Sequence, residues 1–431
     1  MNHATLDDAL AALDRLADFE RLGGAPQDGD PLGRVRRALA RDGDPHRRFR
    51  VLHVAGTNGK GSVAAMLASV LGKMGHTIGL YVSPHLVRVH ERIVVGGGCI
   101  SSGDLLAVLN RILPAAEAEG LTWFEAMTVA ALRHFADRDV AAAVLEVGLG
   151  GRLDATNVAE TAVTGIAPVG WDHMHVLGHT LGAIAREKGG IIKPGVPVVL
   201  APQEPEVADV LRGMAGDRGA PLHIVGEDVV VEAEAGDRFA IRTWRGHHRG
   251  LEILLRGIHQ RTNAALAVGM LEAFVEQKRR ELSATAVSAG LREVSWPARI
   301  EVFPGEPSII LDVAHNVPAA RNLRRVLEEE MGIRRAVFVV GISRDKDRAG
   351  VLREFAPLAS SFIFPRRDHP RLAAPGELLP FVRDLGIPAE ESSSVEEAMS
   401  RARALASPEG RVVVTGSFFI AGEARAILKR S

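Results

Sequence analysis

The run Gly56-Thr57-Asn58-Gly59-Lys60-Gly61-Ser62 follows the apolar segment Val51-Leu52-His53-Val54-Ala55 and precedes Val63, Met66, Leu67, Val70, Leu71 and Met74 at helical spacing. Strand, glycine turn, lysine and helix in that order build a phosphate cradle. Glycines let successive backbone N–H groups converge on an anion, the helix N-terminus adds positive potential, and Lys60 adds a mobile charge. The spacing is a variant of the usual phosphate loop: Val54 stands where that pattern has its first glycine, and Gly61 where it has Ser or Thr. A glycine turn with a solvated lysine also fits the loop alone; strand, turn and helix in register favour a nucleotide.

Carboxylates end two further apolar runs. Val144-Leu145-Glu146 leads into Gly148, Gly150 and Gly151, then Arg152, Asp154, Thr156 and Asn157; Ile309-Ile310-Leu311-Asp312 leads into Ala314, His315 and Asn316, with Arg299 just after Trp296-Pro297. In an open parallel sheet such strand ends face the ligand crevice. Glu146 there can hold magnesium, or it can be a strand-end carboxylate paired with an arginine. Asp312 can bind a ribose hydroxyl and Arg299 can stabilise a transferring phosphoryl group, while His315 or Asn316 can cap a helix running from Pro318. His173, His175 and His179 are too loosely placed for zinc, and magnesium prefers oxygen donors. Lys188 reads as a charge compensating a helix dipole, and Asp345-Lys346-Asp347 as a solvated loop.

These groups need a rigid frame. Between about Asp44 and Gly195, β-rich runs alternate with helical patterns, as in a parallel sheet covered by helices. Expected strands are Arg50 to Ala55, Thr77 to Val82, Ala141 to Glu146, Ala162 to Ile166 and Val196 to Leu200, with helices over Val63 to Met74, Ser102 to Ala118, Phe124 to Ala136 and Leu181 to Gly189. A small β-rich excursion is expected over 222–255, then a helix from His259 to Phe274. Strands at Ser308 to Val313, Ala336 to Val340, Ser361 to Phe364 and Arg411 to Thr415 form a second α/β unit, which divides the chain into 1–283 and 284–431.

Composition narrows the function. The chain has 431 residues, 46% of them hydrophobic, and a net charge of -1 from 52 Lys plus Arg against 53 Asp plus Glu, so no global field recruits nucleic acid or an anionic membrane. The single cysteine, Cys99, excludes an internal disulfide and a multi-cysteine zinc site. Met1 to Asp18 lacks the pattern of a secretory signal, and no apolar run approaches the roughly 20 residues that span a bilayer. The expectation is a cytoplasmic protein that binds neither nucleic acid nor membrane.

In order along almost the whole chain, the 56–62 loop, Ser83-Pro84-His85-Leu86, Phe124-Glu125, Glu146 to Asn157, Asp172-His173, Glu187-Lys188, His259-Gln260 with Asn263-Ala264, Arg299-Ile300-Glu301, Asp312 with Ala314-His315-Asn316, and Gly416-Ser417 resemble one family. It is the folylpolyglutamate synthase and dihydrofolate synthase family, within the Mur ligase superfamily. The resemblance implies an N-terminal phosphate-loop-type parallel-sheet ATPase domain and a smaller C-terminal Rossmann-like α/β domain. It also implies an ATP- and Mg2+-dependent ligase, with K+ a further candidate cofactor, that joins L-glutamate to dihydropteroate, to reduced folates, or to both, through an acyl phosphate. A monofunctional member, another Mur-type amide ligase and an ATP-gated binding protein are the alternatives, and a monomer is the expected state.

By position, the resemblance assigns Gly56, Thr57, Asn58, Gly59, Lys60, Gly61 and Ser62 to the ATP phosphates and Asn263, Arg299, Asp312 and His315 to further ATP contacts. Ser83, Glu146 and His173 would hold magnesium, joined by Lys188 if carbamylated, and Phe124, Arg152 and Asp154 would meet the pterin-bearing substrate. Lys60, Lys188, Arg299 and His315 are the implied catalytic groups. Departures from the family pattern fall at Trp171, Gly189, Ala298, Val313 and Val317, and the segment Leu22 to Arg37 does not map onto it.

Overall fold

The computed structural model describes residues 3–19 and 30–430, so the part of Leu22 to Arg37 before residue 30 lies outside the described residues. The first unit is built on β1 (Arg50–Ala55), β2 (Ile78–Tyr81), β3 (Ile93–Val95), β4 (Gly98–Cys99), β5 (Ala142–Glu146), β6 (Thr161–Ile166), β7 (Val198–Leu200) and β8 (Leu222–Ile224), in the order β4-β3-β2-β5-β1-β6-β7-β8. Strands β2, β5, β6 and β7 are buried throughout, as continuous apolar runs of a doubly covered parallel sheet should be. The sheet is parallel from β2 to β8, but β3 pairs antiparallel with both β2 and β4. That edge hairpin was missing from the sequence reading, because strands of two and three residues leave no measurable alternation. Another correction concerns 222–255: β8 joins the main sheet, and only β9 (Val230–Ala233), β10 (Phe239–Arg242) and β11 (His247–Leu251) form the separate antiparallel excursion.

The helices that matter to the site are α1 (Lys60–Lys73), α2 (Trp123–Asp137), α3 (Leu181–Gly189), α4 (His259–Glu276) and α5 (Ala284–Glu293). Helix α5 lies C-terminal to the division expected at 283, yet it packs on α1. A Cβ on Gly290 would fall 2.6 Å from Val70 Cα, and Ser69 Oγ donates to Gly290 O at 2.8 Å. Only glycine lets the two helices approach that closely, so we place the division between the units after α5.

The second unit orders its strands β12 (Glu301–Phe303), β13 (Ser308–Leu311), β17 (Arg411–Thr415), β14 (Ala336–Val340), β15 (Ala359–Pro365) and β16 (Ala389–Ser392), parallel apart from β12. Its helix α6 (Val317–Arg325) starts at Asn316, whose Oδ1 accepts from Ala319 N at 3.0 Å. The cap reading of Asn316 therefore holds. Both units turn strand ends toward one cavity of about 760 Å³. Among the described residues no helix is long and apolar enough to cross a membrane.

Beneath that cavity His53 is fully buried in β1, its Nε2 2.8 Å from Thr156 Oγ1. Thr156 Oγ1 donates to Asp154, so the His53 ring carries its hydrogen on Nε2 and leaves Nδ1 without a partner among the described residues. Burial, with Lys193 adding to it, lowers the His53 pKa to about 3. The unfolded chain thus takes up the proton first as pH falls below 6.5. Stability should drop by about 1.4 kcal/mol per pH unit from this residue between pH 6 and 4. Urea midpoints of the native protein and His53→Gln across that range check the prediction: the variant should show the shallower pH slope.

Candidate active site

Strand β1 ends at Ala55, and the chain turns through Gly56 (φ 142°) and Gly59 (φ 89°) into α1. A Cβ at Gly56 would fall 2.7 Å from Ala167 Cβ, and one at Gly59 would fall 2.6 Å from Asn263 Oδ1. Both positions exclude a side chain, which keeps the backbone bare on the cavity side. Thr57 anchors the loop by donating its hydroxyl to Gly170 O at 3.1 Å and accepting from Gly170 N at 3.0 Å. Lys60 at the helix N-terminus donates to Thr57 O at 3.2 Å, so its ammonium hangs over the loop. Such a helix start with open N–H groups binds phosphate.

Parallel pairing sets Glu146 beside Val54, which delivers its carboxylate to the cavity level with the loop. Ser83 N donates to it at 3.2 Å, and no arginine ion pair holds it among the described residues. Burial raises its pKa, opposed through space by Lys60, Arg299 and Arg92. His173 has a left-handed backbone (φ 47°) that turns its ring into the cavity. Burial, then the Lys346 charge, lowers its pKa to about 3, so the ring is neutral with a lone pair to give. Among the described residues no three of His, Cys, Asp and Glu gather as a metal cluster. One carboxylate, one neutral imidazole and the Ser83 hydroxyl remain, a sparse set that fits magnesium, which keeps most of its waters.

Lys188 is buried at the end of α3, where Nζ donates to Gly56 O at 2.9 Å. Gly151 makes this possible, since a Cβ there would fall 2.9 Å from the carbonyls of Glu187 and Lys188. The family departure at Gly189 has a similar cause: a Cβ would meet Met214 Sδ at 2.7 Å and Leu211 Cδ2 at 2.9 Å. Burial, then Lys60, lowers the Lys188 pKa to about 7. It is therefore no ordinary dipole-compensating charge.

From the second unit, Asp312 ties two loops together by accepting from Ile300 N at 3.0 Å and Ala314 N at 2.8 Å. One carries Arg299, the other His315. Ala298 (φ 52°) and Ile300 (φ 53°) flank Arg299 in left-handed conformations that are strained for such side chains. Position 298 thus favours glycine by conformation, and the two turns aim Arg299 at the crevice, where burial lowers its pKa. His315 Nδ1 lies 2.9 Å from Val313 O, so Nδ1 carries the hydrogen and Nε2 faces Asp172 Oδ2 at 3.8 Å. Asn58 and Asn316 exchange amide hydrogen bonds across the cleft at 3.2 and 3.1 Å.

The remaining wall comes from α2 and the 148–157 loop. Phe124 packs on Gly148, where a Cβ would fall 2.5 Å from its Cζ. Asp154 accepts from Gly148 N at 3.0 Å and Leu149 N at 2.9 Å, and from Thr156, so much of its hydrogen-bonding capacity shapes the loop itself. Arg152 pairs with Glu187 at 2.8 Å at the cavity edge. Asn263 donates to Gln260 Oε1 at 2.9 Å beneath Gly59. All of the sequence-assigned residues line the one cavity. Two neighbours escaped assignment: Asp172 and Lys346, an ion pair between the units with side chains 7% and 5% exposed.

Residues 54–271 match the family described as Mur ligase middle domain, and residues 298–418 match the Mur ligase glutamate ligase domain. The dihydrofolate synthase/folylpolyglutamate synthase of Bacillus subtilis is 34% identical over 92% of this chain and 95% of its own length. A structure of Escherichia coli FolC in complex with DHPP and ADP superposes with a TM-score of 0.89 at 31% identity, covering 100% of both chains. The Yersinia pestis bifunctional folylpolyglutamate synthase/dihydrofolate synthase complexed with AMPPNP and Mn ion gives 0.88 at 30% identity over 100% of this chain and 99% of that one. The glycine cradle, the buried strand-end carboxylate and the second unit reaching over both thus sit in a chain matched along nearly its whole length, and the chain belongs to the dihydrofolate synthase/folylpolyglutamate synthase family of Mur ligases.

Proposed function

We propose that this protein is an ATP- and Mg2+-dependent ligase that joins L-glutamate to dihydropteroate and to reduced folates. The observation that carries the reading is the single cavity on which Lys60, Glu146 and Lys188 of one unit and Arg299, Asp312 and His315 of the other converge. Loop N–H groups and Lys60 hold the ATP phosphates, and Asp312, with unused lone pairs on both oxygens, accepts from the ribose. The substrate carboxylate attacks the γ-phosphorus, ADP leaves, and an acyl phosphate forms. Arg299 and Lys60 stabilise the charge that builds on the transferring oxygens. The amine of glutamate then attacks the acyl carbon, phosphate departs with the C–O electron pair, and the amine loses a proton. Ser83, Glu146 and His173 would hold a divalent ion, which would supply further neutralisation of the phosphates.

Lys188, buried beside Lys60 with Asp172 near it, is proposed to react as the free amine with CO2 and so become a carbamate. The pKa of about 7 supports this, because only the neutral amine adds CO2. Phe124, Arg152 and the loop shaped by Asp154 would receive the pterin-bearing acceptor. A monomer is the proposed working unit.

The test offers purified protein ATP, Mg2+ and L-glutamate with dihydropteroate or tetrahydrofolate in turn, and measures phosphate and product mass. Product from both acceptors is expected. Product from one alone selects the monofunctional alternative, and phosphate release indifferent to either acceptor would sink the ligase reading.

A further inference from the structure

The loop after β14 carries Lys346 across the cleft into the first unit. Its Nζ contacts Asp172 Oδ1, lies 3.3 Å from His173 Nε2 and 3.5 Å from Asp345 Oδ2. The other oxygen of Asp172 accepts from Asn316 Nδ2 at 3.3 Å and faces His315 Nε2 at 3.8 Å. Three groups of the second unit therefore converge on one carboxylate of the first.

An ammonium and a hard metal ion seek similar surroundings: an anionic oxygen and a free lone pair. His173 Nε2, with Lys346 Nζ 3.3 Å away, can face one cation at a time. We propose that Lys346 is a tethered cation that takes the place of the divalent ion at His173 in the unliganded enzyme and must withdraw before metal binds there. The proposal rests on the reading of His173 as a metal-binding residue. A bare divalent ion entering this pocket has to separate a buried ion pair and then lie close to a like charge. A metal that arrives with a triphosphate brings anionic oxygens able to receive the displaced ammonium. Lys346 thus couples metal binding to nucleotide binding, and by linkage the coupling is reciprocal.

The competing cations Lys60 and Lys188 also act in this region: Lys60, Lys346 and Asp172 act on the Lys188 amine, and Lys188 acts on His173. Both donate to carbonyls of the first unit's own loop, Thr57 O and Gly56 O, whereas Lys346 comes from the second unit with Asn316 and His315. Lys346 is therefore the group whose displacement can report nucleotide entry.

Mn2+ binding measured by electron paramagnetic resonance, with and without a non-hydrolysable ATP analogue, tests this on the full chain. Lys346→Met removes the charge, and Lys346→Gln removes it while keeping an N–H donor for Asp172. Both variants should bind Mn2+ at least about 10-fold more tightly than wild type without nucleotide, and the factor by which the analogue tightens Mn2+ binding should shrink correspondingly. Unchanged or weaker Mn2+ binding in both folded variants, with wild type binding Mn2+ normally beside the analogue, overturns the proposal and leaves the metal reading intact. Wild type that binds no Mn2+ under either condition overturns both.

Discussion

Replacing Lys188 by alanine is expected to lower ligation about 10³-fold, with a much smaller change in acceptor affinity. The side chain is buried under the phosphate loop, its Nζ 2.9 Å from Gly56 O. As an ammonium it would add a further cation beside Lys60 and Lys346, and burial and then Lys60 bring its pKa to about 7. Near neutrality about half of the population is then free amine. Addition of CO2 to that amine gives R–NH–COO⁻ and releases one proton, turning a repelled cation into an anion that Lys60, Lys346 and a divalent ion all favour. Wild type in CO2-depleted buffer should lose activity reversibly and regain it with bicarbonate, while Lys188→Ala should respond to neither. Turnover in the variant equal to wild type, or wild type indifferent to CO2, would remove the carbamate from the account.

How far such a site can be read from sequence depends on the range of the contacts that make it. Arg50–Ala55, Leu181–Gly189, Ala336–Val340 and Arg411–Thr415 coincide with the expected elements, because each is an apolar run bounded by turn residues and its signal is local. Glu146 and Asp312 were legible for the same reason: a carboxylate that ends a buried run stands out. Lys346 was not. Its partner Asp172 is 174 residues away, and within its own segment an Asp-Lys-Asp turn looks like any solvated loop. The same holds for Asn58 and Asn316, 258 residues apart, whose amide pairing needs the folded cleft to exist. The β3–β4 hairpin failed at the other extreme, being too short for any period to register. The signal that could have exposed Lys346 is its place directly after the buried strand β14, the topology that made Glu146 and Asp312 conspicuous.

Glu146→Gln is expected to separate function from stability. The amide keeps an oxygen to accept from Ser83 N and matches the volume of the carboxyl, so packing changes little. The charge alone is lost, in a pocket where Lys60, Arg299 and Arg92 act on it. Metal affinity should fall by about 10- to 100-fold, and kcat at fixed Mg2+ by about 100-fold or more, with partial recovery at high Mg2+. Binding of the acceptor should be nearly unchanged, since its wall is made by Phe124 and the 148–157 loop. Stability should move the other way. Burial raises the folded pKa of Glu146 above its unfolded value, so the unfolded chain loses this proton first as pH rises, and the ionised group opposes folding at pH 7. Removing it should leave the urea midpoint equal or higher, even as catalysis collapses. A variant that loses stability and activity together would mark Glu146 as a structural ion-pair member, and equal Mg2+ titrations for variant and wild type would count against its metal role. A buried charge that costs the fold and is kept nonetheless is retained for what it binds.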